Sequence, residues 1–108
     1  MNDTLFSLSG HTAMVTGASS GLGRTFASVL AAAGASVVLT GRRMELLEQA
    51  CAEITSQGGE AMAVNMDVTD EKTVTQSFDE AERNCGCIDI LVNNSGIAHG
   101  ESALEIAS

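Results

Sequence analysis

Tryptophan, tyrosine and proline are all missing from this chain of 108 residues, and phenylalanine occurs only three times. A core has to be assembled instead from Ala, Val, Leu, Ile and Met, small aliphatic side chains that let helices lie close on a sheet. Basic residues are scarce: five Lys and Arg stand against 14 Asp and Glu, a formal net charge of −9. That balance argues against nucleic acid and anionic membranes as partners, because phosphate-backbone contacts need Lys and Arg. It also requires any bound phosphate to be held by local groups against an unfavourable overall field. No apolar run reaches the roughly 18 residues of a membrane span, and no signal peptide is evident. Three cysteines, Cys51, Cys85 and Cys87, make an odd count, with neither a second cysteine pair nor a nearby His to complete a zinc site. The expectation is a cytoplasmic protein with reduced thiols and no metal, in which Cys85-Gly86-Cys87 is a turn.

What the chain does have is glycine in one telling place. Val15-Thr16-Gly17-Ala18-Ser19-Ser20-Gly21-Leu22-Gly23 follows a short apolar run and opens onto a helical pattern. Glycines between a strand and a helix let the backbone turn tightly and pass close to a ligand. The helix start adds unpaired N–H groups and the positive end of a dipole, a natural seat for phosphate. The spacing is Gly-x-x-x-Gly-x-Gly rather than Gly-x-Gly-x-x-Gly, and no Gly-Lys-Ser/Thr follows, so this is not a P-loop. A strand–helix loop with no ligand is the competing reading.

Around that loop the elements alternate. Residues 11–16 read as a strand, and Leu22, Phe26, Val29, Leu30 and Ala33 as the stripe of a helix ended by Gly34. Val37-Val38-Leu39 is an uninterrupted apolar run, as in strands buried on both faces. Leu46, Leu47, Ala50, Cys51 and Ile54 form a second helical stripe, broken by Gly58-Gly59. Ala61 to Val64 reads as a third strand. Thr69 is placed to cap a third helix with Val74, Phe78 and Ala81 on its buried face, ended by Gly86. A fourth strand covers Ile88 to Val92, and Ala103, Leu104 and Ile106 suggest the start of another helix. The order βαβαβαβ predicts an α/β fold, a Rossmann-type doubly wound parallel sheet, with residues 1–108 forming the N-terminal part of a single dinucleotide-binding domain.

Ligands of such sheets collect at the carboxyl ends of the strands. Those tips carry Gly17 to Gly23, then Gly41-Arg42-Arg43, then Asp67, then Asn93 to Gly96. An acidic residue at the second tip supports NAD through the ribose hydroxyls, whereas this chain has Gly41 followed by two of its five basic residues. Guanidinium there pairs with a 2′-phosphate and favours NADP, against the alternative of two solvated arginines. Asp67 could equally be a turn residue before a helix. Arg24, in the first turn of the first helix, is a possible phosphate ligand or a solvated arginine. His11 and His99 read as surface residues with no carboxylate partner nearby in sequence.

Taken together, Thr16-Gly17-Ala18-Ser19-Ser20-Gly21-Leu22-Gly23, Asp67-Val68 and Asn93-Asn94-Ser95-Gly96, in this order and spacing, resemble the classical short-chain dehydrogenase/reductase family. The resemblance runs across essentially the whole chain. It implies that Gly17, Gly21 and Gly23 line a pyrophosphate, with Ser19, Ser20 and Leu22 of the same loop also contacting cofactor. It implies that Arg42 and Arg43 select NADP over NAD, that Asp67 bonds the adenine amino group with backbone help from Val68, and that Asn93 stabilises the central strands. Ser95 stands where the family usually has Ala, and Gly96 would lie near the adenine-side ribose.

The implied activity is NADP(H)-dependent hydride transfer to or from a carbonyl or alcohol substrate, in a protein that is commonly a homodimer or homotetramer. Catalysis in the family belongs to a Tyr with a Lys four residues later, aided by a Ser and an Asn. This chain has no Tyr, and its single Lys, Lys72, begins a helix. No catalytic residue is therefore assigned within it, and the parent protein is expected to continue past Ser108. A non-catalytic dinucleotide sensor on the same fold is the alternative. A methyltransferase-type nucleotide fold is disfavoured by Gly41-Arg42 where an acidic residue is usual.

Overall fold

A computed structural model describes residues 7–19, 21–67, 69–94 and 104–106. Its elements are β1 (Thr12–Thr16), α1 (Gly21–Ala32), β2 (Ser36–Gly41), α2 (Met44–Ser56), β3 (Glu60–Asn65), α3 (Glu71–Cys85), β4 (Ile90–Asn93) and β5 (Leu104–Ile106). The sheet order is β3-β2-β1-β4-β5. The first four strands are mutually parallel, with Val15 opposite both Leu39 and Val92. This is the Rossmann-type arrangement that the alternating pattern predicts. Chain progression reverses between β3 and β4, which leaves a topological switch point between β1 and β4.

Successive strand residues point to opposite faces, and here both faces are covered. Ala13, Val15, Val37, Leu39, Ile90 and Val92 pack with Ala27, Ala31, Leu47, Ala50 and Ile54 of α1 and α2. Met14, Val38 and Val64 pack on the other face with Ala81 of α3, flanked by Val74 and Phe78. The uninterrupted apolar run of β2 is the sequence trace of this double burial.

Four details differ from the sequence expectations. The face of α1 that meets the sheet is Gly23, Ala27 and Ala31, while Val29 is 61% exposed and Leu22 50%. Phe26 and Leu30 pack from the flanks. Close approach of helix to sheet admits only small side chains, and this rotates the buried stripe away from the larger apolar residues. Second, α3 is capped by Asp70, not Thr69: the Asp70 carboxylate accepts from Lys72 N at 3.0 Å. Third, β4 begins at Ile90 rather than Ile88. Fourth, residues 104–106, expected to begin a helix, form a strand antiparallel to β4, with Ile90 opposite Ile106. The β4 edge is hydrogen-bonded there; an unpaired strand edge is costly, and that pairing outweighs the weak helical pattern of so short a segment.

Candidate functional site

The strand register brings four tips to one edge of the sheet, with Thr16 opposite Asn93 and Gly41 opposite Asn65. At the first tip Gly17 adopts φ +63°, a left-handed conformation that suits glycine. Ala18 N donates to Thr40 O at 3.0 Å, fixing the loop to the end of β2. The glycines beyond it differ in purpose. A Cβ on Gly23 would lie 2.4 Å from Gly17 O and 2.8 Å from Ala18 Cα, so this glycine lets the helix pack on its own loop. A Cβ on Gly21 would meet no protein atom within 4 Å among the described residues. Neither φ nor internal packing requires glycine there, and its bare backbone is open to a ligand. The first turn of α1 carries no acidic residue, so the positive end of its dipole is unopposed.

Beside this loop lies a cavity of about 370 Å³ lined by Gly17, Ser19, Thr40, Gly41, Arg42, Arg43, Met66, Asp67 and Thr69. It thus joins three of the four tips. Met66 N donates to Gly41 O at 2.9 Å, and Asn65 Nδ2 approaches the Gly41 and Arg42 carbonyls at 3.5 and 3.4 Å. These bonds hold the backbone from which Arg42 projects. A Cβ on Gly41 would make ordinary contacts at 3.5 Å with Leu47 and Ser19 Oγ, so an acidic side chain is absent here by composition, not by lack of space. Arg43 lies 3.7 Å from Glu45, both well exposed, a pair of little energetic weight.

Asp67 faces the same cavity. Its Oδ1 accepts from Thr69 Oγ1 at 2.7 Å and from Thr69 N at 3.0 Å. Its own N donates to Thr73 Oγ1 at 3.1 Å. The Thr69 hydroxyl foremost, then the Thr69 amide, and to a smaller degree the positive charge of Arg42, hold the Asp67 carboxyl below its usual range. Asp67 is therefore a turn residue whose carboxylate also lines the cavity.

At the switch point Thr16 Oγ1 donates to Asn93 Oδ1 at 3.1 Å, and Asn94 Nδ2 donates to Gly17 O at 3.0 Å. Asn93 thus ties β4 to β1. Thr16 and Asn94 were not singled out as site residues, yet they fasten the glycine loop to the fourth tip. The doubled Asn after an apolar strand was the available signal. Ser20, Val68, Ser95, Gly96 and His99 lie outside the described residues. Arg24, read as a phosphate ligand or a solvated arginine, pairs through its guanidinium with Glu53 of α2 at 2.9 Å. His11 is exposed but does have a carboxylate partner, Asp89, 78 positions away and 2.7 Å from its Nδ1. Asp89 also accepts from Thr12 N at 3.0 Å. Hydrogen bonding from His11 is the main reason its carboxyl is held below the usual range. That pair lies at the opposite ends of the strands from the cavity.

Among the described residues no group of three or more His, Cys, Asp and Glu could hold a metal, and no helix is long and apolar enough to cross a membrane. In this Rossmann-type α/β fold the glycine loop, the two guanidinium groups and the Asp67 carboxylate surround one cavity at the carboxyl ends of β1, β2 and β3, where ligands of open parallel sheets collect. Residues 11–108 match the short chain dehydrogenase family, and the chain belongs to that family of oxidoreductases. It is 50% identical over 93 residues to gluconate 5-dehydrogenase of Gluconobacter oxydans, covering 86% of this chain and 36% of that protein. It is 42% identical over 87 residues to fatty acyl-CoA reductase of Acinetobacter baylyi, covering 81% of this chain and 30% of that one. Among solved structures it resembles a hydroxysteroid dehydrogenase from Escherichia coli, with TM-score 0.79 and 38% identity, over 82% of this chain and 37% of the other. The chain spans about a third of the length of the curated relatives it matches.

Proposed function

We propose that the protein is an NADP(H)-dependent oxidoreductase that moves hydride between nicotinamide and a carbonyl or alcohol carbon, and that this chain supplies the cofactor-binding part. The bound nicotinamide supplies or accepts the hydride; the residues here bind and orient. Gly17, Gly21 and Gly23, with Ser19 and Ser20, receive the diphosphate against the start of α1. Leu22 lies on the exposed side of the same turn. Arg42 takes the 2′-phosphate with Arg43 beside it, Asp67 bonds the adenine amino group with backbone help from Val68, and Asn93 holds β4 to β1 while Ser95 and Gly96 border the ribose. The reading carries with it a reduced cytoplasmic setting for the three free thiols, a small-molecule substrate and a homodimer or homotetramer.

The observation that carries it is Arg42 lining the same cavity as Gly17 and Ser19 of the glycine loop, with no carboxylate at Gly41. A charge-assisted bond of this kind is worth about 1.5–3 kcal/mol. Calorimetry on the whole protein is expected to show Arg42→Ala weakening NADP binding by that amount and leaving NAD binding nearly unchanged. Equal loss for both cofactors would overturn the 2′-phosphate assignment.

A further inference from the structure

Arg42 and Asp67 carry opposite charges, line the same cavity and feel one another electrostatically. Yet among the described residues no ion pair joins them. The reason is visible in the turn that follows β3. Thr69 donates twice to one oxygen of Asp67, once from its hydroxyl at 2.7 Å and once from its amide at 3.0 Å. Thr73 fixes the Asp67 backbone, taking the Asp67 N–H at 3.1 Å and donating to the Asp67 carbonyl at 2.9 Å. The amide bond alone would leave the carboxylate free to turn about its side-chain torsions; the hydroxyl is the second point that defines its direction.

We infer that Thr69 is a positioning residue for cofactor choice: its hydroxyl holds the Asp67 carboxylate away from Arg42 and so keeps the guanidinium available for a 2′-phosphate. The inference rests on the proposed role of Arg42 but assigns a new one to a residue that touches neither phosphate nor nicotinamide. The competition it prevents is simple. An Asp67–Arg42 pair inside the cavity would have to be broken each time a 2′-phosphate bound, and its strength would be subtracted from the preference for NADP. The adenine contact proposed for Asp67 is common to NADP and NAD, so the ratio of the two affinities reads the competition for Arg42. The lowered pKa of Asp67 is consistent, since the carboxylate is kept ionised chiefly by Thr69 without needing Arg42 as its main partner.

The test is a double-mutant cycle on the whole protein, with dissociation constants for NADP and NAD by calorimetry. Thr69→Val removes the hydroxyl and keeps the shape and the backbone amide. The NADP-to-NAD affinity ratio is expected to fall about fivefold, the size that a partly exposed ion pair carries. Thr69→Ser, which restores a hydroxyl, should recover the wild-type ratio. In an Asp67→Asn background, where no ion pair with Arg42 can form, Thr69→Val should no longer change the NADP-to-NAD ratio. A Thr69→Val effect that is equal for both cofactors, or that persists in the Asp67→Asn background, overturns the inference while leaving the proposed function intact. If Arg42→Ala itself fails to distinguish NADP from NAD, the proposed function falls and takes this inference with it. Thermal unfolding of each variant separates loss of fold from loss of selectivity, because a purely structural Thr69 would lower stability without moving the cofactor ratio.

Discussion

Two glycines two positions apart do different work in this loop, and the difference is measurable. Gly23 is required by the protein itself: a methyl group would be driven into Gly17 O and Ala18 Cα. Gly23→Ala is expected to destabilise the fold by about 1–3 kcal/mol, the usual cost of overpacking, read as a lower denaturant midpoint with or without cofactor. Gly21 has open space on the same side. Alanine there should leave stability unchanged or raise it by up to about 1 kcal/mol, the helix-propensity gain over glycine. The same change should weaken dinucleotide binding, because the methyl group enters the space where the diphosphate approaches. Finding both variants equally unstable, or Gly21→Ala with unaltered cofactor affinity, would remove the distinction.

Among the elements, α3 shows how a helix end is specified by its immediate surroundings. Asp70 accepts from Lys72 N and places a negative charge at the helix start, while Thr69 is already committed to Asp67. Position settles the cap: Asp70 is the extended residue that flanks the helix, and its carboxylate reaches the Lys72 N–H. Asp70→Ala should therefore cost about 1 kcal/mol, the typical loss for an N-cap, measured by urea unfolding. Thr69→Ala should cost less in stability, and the reverse ranking would restore Thr69 as the cap. At the other end Gly86 terminates α3 with φ +88°, as its place in the sequence suggested. α1 was the element whose face was misjudged, because periodicity identifies large apolar residues and the sheet selected small ones.

For the molecule as a whole, one hydrogen-bonded pair joins residues 78 positions apart in sequence. His11 and Asp89 join the entrances of β1 and β4, and Asp89 also receives the Thr12 N–H. The Asp89 carboxyl is more acidic in the folded protein than in an unfolded chain, chiefly through the His11 hydrogen bond. The unfolded state therefore binds a proton more readily, and the stability this pair contributes is present above the unfolded carboxylate value of about 3.9. It is lost as pH falls through the lower, folded value. Unfolding followed across that range should show Asp89→Asn with a shallower acid dependence than the parent. An identical slope would mean the pair contributes nothing on balance. Asp67 adds to the slope in the same direction, through Thr69.

The alternation of elements, the doubly buried β2 and the glycine loop could all be read from the sequence, because each depends on residues within a turn or two of one another. Periodicity and a glycine's conformational freedom are local properties, and local properties survive in one dimension. Tertiary structure alone decided the rest: that Gly23 answers to Gly17 O, that Asn94 and Thr16 fasten the switch point, that Arg24 pairs with Glu53, and that residues 104–106 add a strand to β4. Each of those requires segments distant in the chain to be brought into register by a sheet that exists only once the core has formed. The physical reason is the same in every case: the partner's identity is written in the sequence, but its nearness is set by packing.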